Sequence, residues 1–321
     1  MNGQQPFLSV QDLTVEYTSD REVIHAVNQL SLDIRKGSTL GLVGETGAGK
    51  TSIAKSILRV LPEISSRVVS GKILLEGRDL LKISDMEMRR IRGERISMIF
   101  QDPMTALNPV QKIGDQIAEV LFLHNEMPWE QAFHQAEMML EMVGISRERA
   151  TEYPHQLSGG MKQRVIIAIA LACKPELLLA DEPTTALDVT IQAQVLDMIR
   201  RLRDEMNTSM LLITHDLGVV AEICDAVAVI YAGRIMERGS LEDIFDRPSH
   251  PYTRGLFGAL PKLRSKGERL IPIEGSPVDP TNLPPGCPFA PRCAFATPAC
   301  REEYAPEQEI SPGHFCRCNR A

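Results

Sequence analysis

The chain has 321 residues, of which 43% are hydrophobic and 24% are charged, and its formal net charge at pH 7 is −7. This composition is typical of a globular protein with one large domain and an appendage, or with two modest domains. The isoelectric point near 5.6 disfavours duplex DNA or an anionic membrane surface as the main ligand.

The hydrophobic runs are too short for a membrane-spanning protein. No apolar run reaches the roughly 18 residues that a bilayer requires. The first ten residues, MNGQQPFLSV, lack the basic region and apolar stretch of a signal peptide. We therefore expect the chain to stay in the cytosol and to touch a membrane only through a partner.

The first predicted elements are β-strands. Polar and apolar residues alternate in 13–17 and again in 30–34, so residues 7–36 are predicted to form antiparallel β structure. A short apolar strand follows at 39–43, and another strand is predicted at 71–77, bounded by turn glycines.

The later elements predict an α/β fold. Residues 111–145 have mainly helical periodicity. Unbroken apolar runs at 177–180 and 210–213 suit parallel strands that are buried on both faces. Strands that alternate with helices indicate a largely parallel sheet. From about residue 246 the chain is rich in proline and poor in periodic segments, which indicates a separate, loop-rich appendage.

A phosphate-binding motif lies between the strand 39–43 and a run with helical spacing (Ile53, Ile57, Leu58, Leu61). The pattern G-x-x-x-x-G-K-[ST] is matched by Gly44, Glu45, Thr46, Gly47, Ala48, Gly49, Lys50 and Thr51, and Ser52 follows. Glycines let the backbone wrap around a polyphosphate, while helix N–H groups point at it. A plain Gly-rich turn is the alternative, but the strand-to-helix context favours a nucleotide-phosphate site.

A second acidic site follows the apolar strand 177–180, which delivers Asp181 and Glu182 to its carboxyl edge, where open α/β sheets bind ligands. Asp181 would hold Mg²⁺ and Glu182 would polarise an attacking water. Two solvated carboxylates at a strand end would explain this pair equally well in isolation.

Four further motifs accompany the phosphate loop and the acidic pair. Gln101 follows the strand 96–100, the sequence LSGGMKQR (157–164) opens a helix, Ala186-Leu187-Asp188 follows the acidic pair, and His215 ends the strand 210–214. In this order the motifs resemble those of the ATP-binding-cassette family over residues 7–245. The resemblance implies an ABC-type P-loop ATPase core: a RecA-like sheet, an antiparallel β subdomain and a helical subdomain at about 100–160.

The resemblance also implies residue roles in one ATP site. Tyr17 would stack on adenine, although a strand core residue is the alternative. Gln101 would contact Mg²⁺ and the attacking water, His215 would contact the γ-phosphate and orient Glu182, and Glu182 would be the general base. Mg²⁺ would be held by Thr51, Gln101 and Asp181.

The signature sequence implies a dimer. In this family Ser158, Gly159, Gly160 and Asp188 contact the nucleotide that is bound to the other subunit. One chain therefore contributes half of each of two ATP sites. The retained Glu182 and the intact signature predict a competent contribution to both.

The appendage, residues 246–321, indicates which subgroup of the ATP-binding-cassette family the chain resembles. His250-Pro251-Tyr252-Thr253 and the segment 285–293 (PGCPFAPRC) resemble the C-terminal extension of oligopeptide and dipeptide importer ATPases. This implies ATP-driven import of short peptides with two transmembrane permeases, an extracytoplasmic binding protein and a second homologous ATPase, a heterodimer being favoured. The chain would be peripheral on the cytoplasmic face of the membrane and would not bind nucleic acid.

Two alternative functions stay open at this stage. Nickel and glutathione importers belong to the same subgroup and would differ in cargo alone. A soluble cassette ATPase acting on nucleic acid or the ribosome is the alternative from another class, against which the acidic charge, the single cassette and the appendage all argue.

Cysteines are concentrated in the last 35 residues, which contain five of the seven. The resemblance implies a 4Fe–4S cluster on Cys287, Cys293, Cys300 and Cys318, with Cys316 as the alternative fourth ligand. A structural zinc ion, or reduced or adventitiously paired thiols, are the alternatives. Cys173 and Cys224 are expected to be inert core residues.

Overall fold

The structure is a computed structural model that describes residues 5–19, 22–102, 106–184, 188–258 and 273–320, with the side chain of Val189 excepted. Ala186 and Leu187 of the motif before Asp188 lie outside the described residues.

Strands and helices alternate along the chain. The strands are β1 Leu8–Ser19, β2 Glu22–Ile34, β3 Thr39–Val43, β4 Ser66–Leu75, β5 Arg78–Asp79, β6 Ile96–Ile99, β7 Leu177–Asp181, β8 Ser209–Thr214, β9 Ala226–Tyr231, β10 Arg234–Ser240, β11 Gln308–Ser311 and β12 His314–Cys316. The helices are α1 Lys50–Ile57, α2 Asp85–Glu94, α3 Ile113–Asn125, α4 Trp129–Met142, α5 Gly159–Leu171, α6 Val189–Met206, α7 Leu217–Ile223, α8 Leu241–Asp246, α9 Pro251–Gly258 and α10 Pro298–Glu302.

The chain divides into two compact units. The described residues of Met1–Asp33, Leu40–Leu81 and His215–Ala321 form the first unit, and those of Ile34–Thr39 and Lys82–Thr214 form the second. The phosphate loop and the cysteine-rich extension therefore belong to the first unit, and the acidic pair and the signature sequence belong to the second.

Two sets of strands build the first unit. One is a four-stranded sheet in the order β2-β1-β4-β5, in which β1 and β4 are antiparallel. The other set runs β11-β12-β10-β9-β3, with β3 and β9 parallel and the remaining pairs antiparallel. Strands of the extension thus belong to the same sheet as the strand before the phosphate loop.

The second unit contains the parallel strands β6, β7 and β8, with β7 in the middle. Every residue of β7 and β8 is buried, as expected for short apolar strands covered on both faces. The predicted α/β fold is confirmed, and the predicted strands at 39–43, 177–180 and 210–214 are present.

Strand β4 differs from its prediction. It begins at Ser66, and Gly71 lies inside the strand rather than at its end. Gly71 has a φ of 104°, and a Cβ there would lie 2.6 Å from the Cα of Leu13. The pairing of β1 with β4 shifts register between Gln11 and Val15, so the glycine marks a β-bulge and not a turn.

Helical boundaries also differ from the periodic patterns. Helix α1 ends at Ile57, so Leu58 and Leu61 lie beyond it. The helical region 111–145 is divided into α3 and α4, because Glu126 takes a left-handed conformation and Pro128 precedes the second helix. Within the described part of the chain, no helix is long and apolar enough to cross a membrane.

Candidate functional site

Glycines shape the phosphate loop between β3 and α1. Gly47 and Gly49 have φ values of 81° and 97°, which side-chain-bearing residues rarely adopt. Space is also restricted, since a Cβ at Gly49 would lie 2.1 Å from the carbonyl oxygen of Ala26. A Cβ at Gly44 would lie 2.2 Å from the carbonyl oxygen of Ile230. The backbone conformation therefore favours glycine at 47 and 49, and close packing requires it at 44 and 49.

Lys50 lies over the loop rather than in solvent. Its side chain is largely buried, and Nζ donates hydrogen bonds to the carbonyl oxygens of Gly44 (2.8 Å) and Glu45 (3.0 Å). The ammonium therefore places a positive charge at the phosphate loop. Such a charge suits the β- and γ-phosphates of a nucleotide.

Tyr17 of β1 lies beside the same helix. Its hydroxyl is 3.1 Å from the Oγ of Ser52, and the residue is half-buried. The structure thus brings Tyr17, Lys50, Thr51 and Ser52 together in the first unit. The ring of Tyr17 is thus partly exposed and lies next to the helix that follows the phosphate loop.

The acidic pair lies at the carboxyl end of β7 in the second unit. Asp181 is 1% exposed and is the last residue of the strand. Glu182 has a φ of 47°, and its N–H donates to the carbonyl oxygen of Ile213 at 2.8 Å. A left-handed backbone at a residue other than glycine is strained and is frequent at functional sites.

Gln101 and Glu182 are in contact, although 81 residues separate them. The Gln101 amide Nε2 donates to Glu182 Oε2 at 3.0 Å. Gln101 is exposed and Glu182 is half-buried, so both remain accessible to a ligand. This pair, with Asp181, forms an oxygen-rich and anionic edge of the parallel strands.

The signature sequence opens helix α5. Ser158 is the N-cap, and its hydroxyl accepts a hydrogen bond from the N–H of Met161 at 3.4 Å. Ser158 and Gly159 are exposed, and a Cβ at Gly159 would meet no described heavy atom within 4 Å. An exposed helix N-terminus with open space in front of it is suited to an anionic ligand.

The remaining predicted nucleotide residues are exposed at element ends. Asp188 precedes α6 as its N-cap, and His215 directly follows β8. Each predicted residue thus lies at a loop or at an element end. Among the predicted nucleotide residues, Lys50 contacts Gly44 and Glu45 and Tyr17 contacts Ser52 in one unit. In the other unit Gln101 contacts Glu182.

Sequence patterns did not reveal three residues that contact these motifs. Gln163, 2% exposed, donates its Nε2 to the carbonyl oxygen of Pro183, which ties the signature helix to the segment after Glu182. Arg292 and Tyr252 of the extension both contact Glu45 of the phosphate loop. Gln163 has a weak signal within LSGGMKQR, whereas nothing near Glu45 in the sequence points to residues 207 and 247 positions away.

Four cysteines of the extension line one open cavity: Cys287, Cys293, Cys300 and Cys318. Cys316 does not line it; the residue is fully buried in β12, opposite Glu237 of β10. Arg317 and Arg320 also line the cavity, so positive charge accompanies the thiols. The structure therefore gathers the four cysteines of the preferred ligand set and separates Cys316 from them.

The thiols differ in environment. Burial raises the pKa of Cys287 to about 11 and also raises the pKa values of Cys293 and Cys316. Hydrogen bonding from Thr297 lowers the pKa of Cys300. Over the described ranges, no group of three or more His, Cys, Asp or Glu side chains is close enough to hold a metal ion. The four thiols surround a common space without converging on one point.

Two protein-family models match the chain. The model of the ABC transporter family matches residues 27–185, and the model described as "Oligopeptide/dipeptide transporter, C-terminal region" matches residues 236–300. The first match includes the phosphate loop, the signature and the acidic pair. The second includes the first three cysteines of the cavity.

Similar proteins extend over nearly the whole chain. The dipeptide transport ATP-binding protein DppD of Bacillus subtilis is 50% identical, with 97% of this chain and 93% of that protein covered. The oligopeptide transport ATP-binding protein OppD of Haemophilus influenzae is 49% identical, with 92% of each covered. Among solved structures, a dimeric post-hydrolysis state of the ATP-binding cassette MJ0796 bound to ADP and Pi has a TM-score of 0.66. It is 26% identical, and 73% of this chain and 98% of that chain are covered.

Proposed function

Because this chain belongs to the family of ABC transporter ATP-binding proteins with the oligopeptide/dipeptide C-terminal region, we propose that it hydrolyses ATP to power import of short peptides. The main support is that a single chain combines the ABC cassette with the oligopeptide/dipeptide region. This chain is 50% identical to the dipeptide transport ATP-binding protein DppD over 97% of its length. A cassette alone would fit ATPases of several other functions. No observation favours the nucleic-acid or ribosome alternative.

Binding of ATP is assigned to the phosphate loop and its flanking residues. The loop amides of 44–51 would contact the phosphates, Lys50 would contact the β- and γ-phosphates, and Tyr17 would stack on adenine. The contact of Tyr17 with Ser52 and the position of Lys50 over the loop support these roles.

Hydrolysis is assigned to Glu182, assisted by Gln101 and His215. Glu182 would accept a proton from the attacking water, and its hydrogen bond to Gln101 would hold the carboxylate in one orientation. His215 would contact the γ-phosphate.

Mg²⁺ fits the donors that the motifs supply. Thr51, Gln101 and Asp181 offer hydroxyl, amide and carboxylate oxygens, which are the hard ligands that Mg²⁺ prefers. When bound, Mg²⁺ supplies charge neutralisation at the phosphates. Gln101 keeps its amide oxygen as an acceptor while its nitrogen donates to Glu182.

Assembly is proposed to complete the ATP site. The exposed N-terminus of α5 would contact the γ-phosphate of a nucleotide on a second ATPase subunit through Ser158, Gly159 and Gly160, with Asp188 nearby. The dimeric state of the MJ0796 cassette supports a dimer. We favour a heterodimer with a homologous subunit, attached to two permeases at the cytoplasmic face of the membrane and supplied by an extracytoplasmic binding protein.

We propose that the chain consists of a cassette, 1–245, with a helical subdomain at about 100–160, and an extension, 246–321. The family-model matches at 27–185 and 236–300 support this division, although the second begins ten residues before the proposed boundary. Strand β10, which pairs with β12, explains that overlap, because the extension packs on the last strand of the cassette.

A 4Fe–4S cluster is proposed for the cysteine cavity, with Cys287, Cys293, Cys300 and Cys318 as ligands. The shared cavity of these four cysteines supports this ligand set, and a structural zinc ion on the same thiols is the alternative. Arg317 and Arg320 would offset the negative charge of four thiolates. The cluster would act as a staple for an extension with little apolar core.

The proposed ligand set predicts that replacement of Cys318 and replacement of Cys316 have different effects on the iron content. After anaerobic purification, the wild type is expected to contain about four irons and four sulfides per chain. Cys318→Ser is expected to lose most of this iron, while Cys316→Ser, the matched control, retains it. Analysis of iron, zinc and sulfide tests this. A folded, metal-free wild type, or zinc in place of iron, would overturn the cluster.

Uptake by cells tests the proposed function. Cells lacking this chain are expected to lose uptake of labelled di- and oligopeptides, and the wild-type chain, but not Glu182→Gln, is expected to restore it. Labelled nickel and glutathione serve as parallel cargoes. Retained peptide uptake with loss of nickel or glutathione uptake would keep the ATPase and reject the peptide cargo. Retained uptake of all three would contradict the transport function in those cells.

A further inference from the structure

We propose that Arg292 and Tyr252 of the extension are positioning residues of the phosphate loop. They hold Glu45, the second residue of the loop, so that the loop is preset for the polyphosphate of ATP. The inference rests on the proposed ATP-binding function of the loop. It assigns to the extension a part in nucleotide binding that acts through the phosphate loop.

Arg292 is a buried cation that contacts the loop through its side chain. Its Nη1 donates to Glu45 Oε2 at 2.8 Å, and its side chain is 6% exposed, against 24% for Glu45. The other guanidinium nitrogens donate to the carbonyl oxygens of Glu274 (3.1 Å) and Ile273 (3.4 Å). The guanidinium is therefore anchored within the extension, and the carboxylate of Glu45 is held at a fixed place.

Tyr252 contacts the loop backbone. The N–H of Glu45 donates to the Tyr252 hydroxyl at 3.0 Å, and Tyr252 is fully buried. Its ring packs against Tyr231 and Phe289, with centroid distances of 4.8 Å and 5.2 Å. The Tyr231 hydroxyl in turn accepts from Arg292 Nη1 at 3.4 Å. Both contacts to Glu45 thus come from one packed group of side chains.

Glu45 connects these contacts to the phosphate-binding groups. Its carbonyl oxygen accepts hydrogen bonds from Lys50 Nζ at 3.0 Å and from the N–H of Ala48 at 3.2 Å. A displacement of Glu45 would move an acceptor of Lys50 and one bond that closes the loop. Because preset donors reduce the ordering cost of binding, loss of either extension contact is expected to weaken ATP binding.

The full-length chain can be tested with a fluorescent ATP analogue and with steady-state hydrolysis. We expect Arg292→Ala to raise the Kd and the KM for ATP several-fold, because binding must then order the loop, with kcat changed much less. Arg292→Lys is expected to recover part of the affinity. Arg301→Ala, an exposed arginine of the same extension, is the matched control and is expected to match the wild type.

Folding of Arg292→Ala is checked by circular dichroism, and a second variant tests the inference if Arg292→Ala does not fold. Tyr252→Phe keeps the buried ring and removes the acceptor for the Glu45 N–H, and it is expected to raise the KM several-fold.

The double variant Arg292→Ala/Glu45→Gln is expected to be no weaker in ATP binding than Arg292→Ala alone. Folded Arg292 and Tyr252 variants with wild-type KM, or an equal fall in kcat, would overturn the inference. Lys50→Ala separates the two proposals: if it too binds ATP normally, the proposed ATP site itself fails.

Discussion

Replacement of Glu182 by Gln is expected to leave ATP binding intact and to lower the rate of ATP hydrolysis by about 10²–10⁴-fold, the usual contribution of a general base. Glutamine preserves the size of the side chain and places the same demand on the left-handed backbone at this residue. It cannot accept the proton of the attacking water. The loss should therefore fall on kcat rather than on nucleotide affinity.

The expected rate loss is measured as phosphate release by the purified chain, beside equilibrium binding of a fluorescent ATP analogue. Glu205→Gln is a suitable control, because it makes the same chemical change at an exposed ion pair on α6. Such surface pairs contribute little to the free energy of unfolding. In the presence of the partner ATPase subunit, the Glu182 variant should also accumulate an ATP-bound dimer on size-exclusion chromatography. Hydrolysis near the wild-type rate would remove Glu182 from the proposed mechanism.

Replacement of Lys50 by Ala is expected to weaken ATP binding by about 10- to 100-fold, the range for hydrogen bonds to a charged partner. The ammonium is largely buried over the loop and is held by the carbonyl oxygens of Gly44 and Glu45. Alanine removes the positive charge and leaves both carbonyls without the Lys50 donor. Affinity should therefore fall even where the loop backbone persists.

The affinity change is measured by titration with the same fluorescent analogue. Lys55→Ala is the matched control, since this lysine lies in the last turn of the same helix, α1. It removes an equal charge from the helix but not from the loop. Equal affinities of the wild type and Lys50→Ala would mean that the assigned loop does not bind the nucleotide phosphates.

Local patterns in the sequence were sufficient for the elements that carry the motifs. The strand 39–43 was predicted with the bounds that β3 has, and the signature sequence begins α5 as expected. Both predictions depend on residues that are close in sequence. The first rests on an unbroken apolar run, and the second on a serine N-cap before glycines. Gly71 shows the limit of such reasoning, because its role as a bulge depends on Leu13 in another strand.

The sequence by itself determined the family, the α/β fold and the position of each nucleotide motif, because these follow from short-range spacing and from the order of motifs. Only the tertiary structure decided which distant residues meet. It placed Cys318 beside the other three cysteines and Cys316 inside β12, although the two are separated by one residue. It also brought Arg292 to Glu45 across 247 positions. Such contacts depend on how separate elements pack, and no local periodicity encodes that packing.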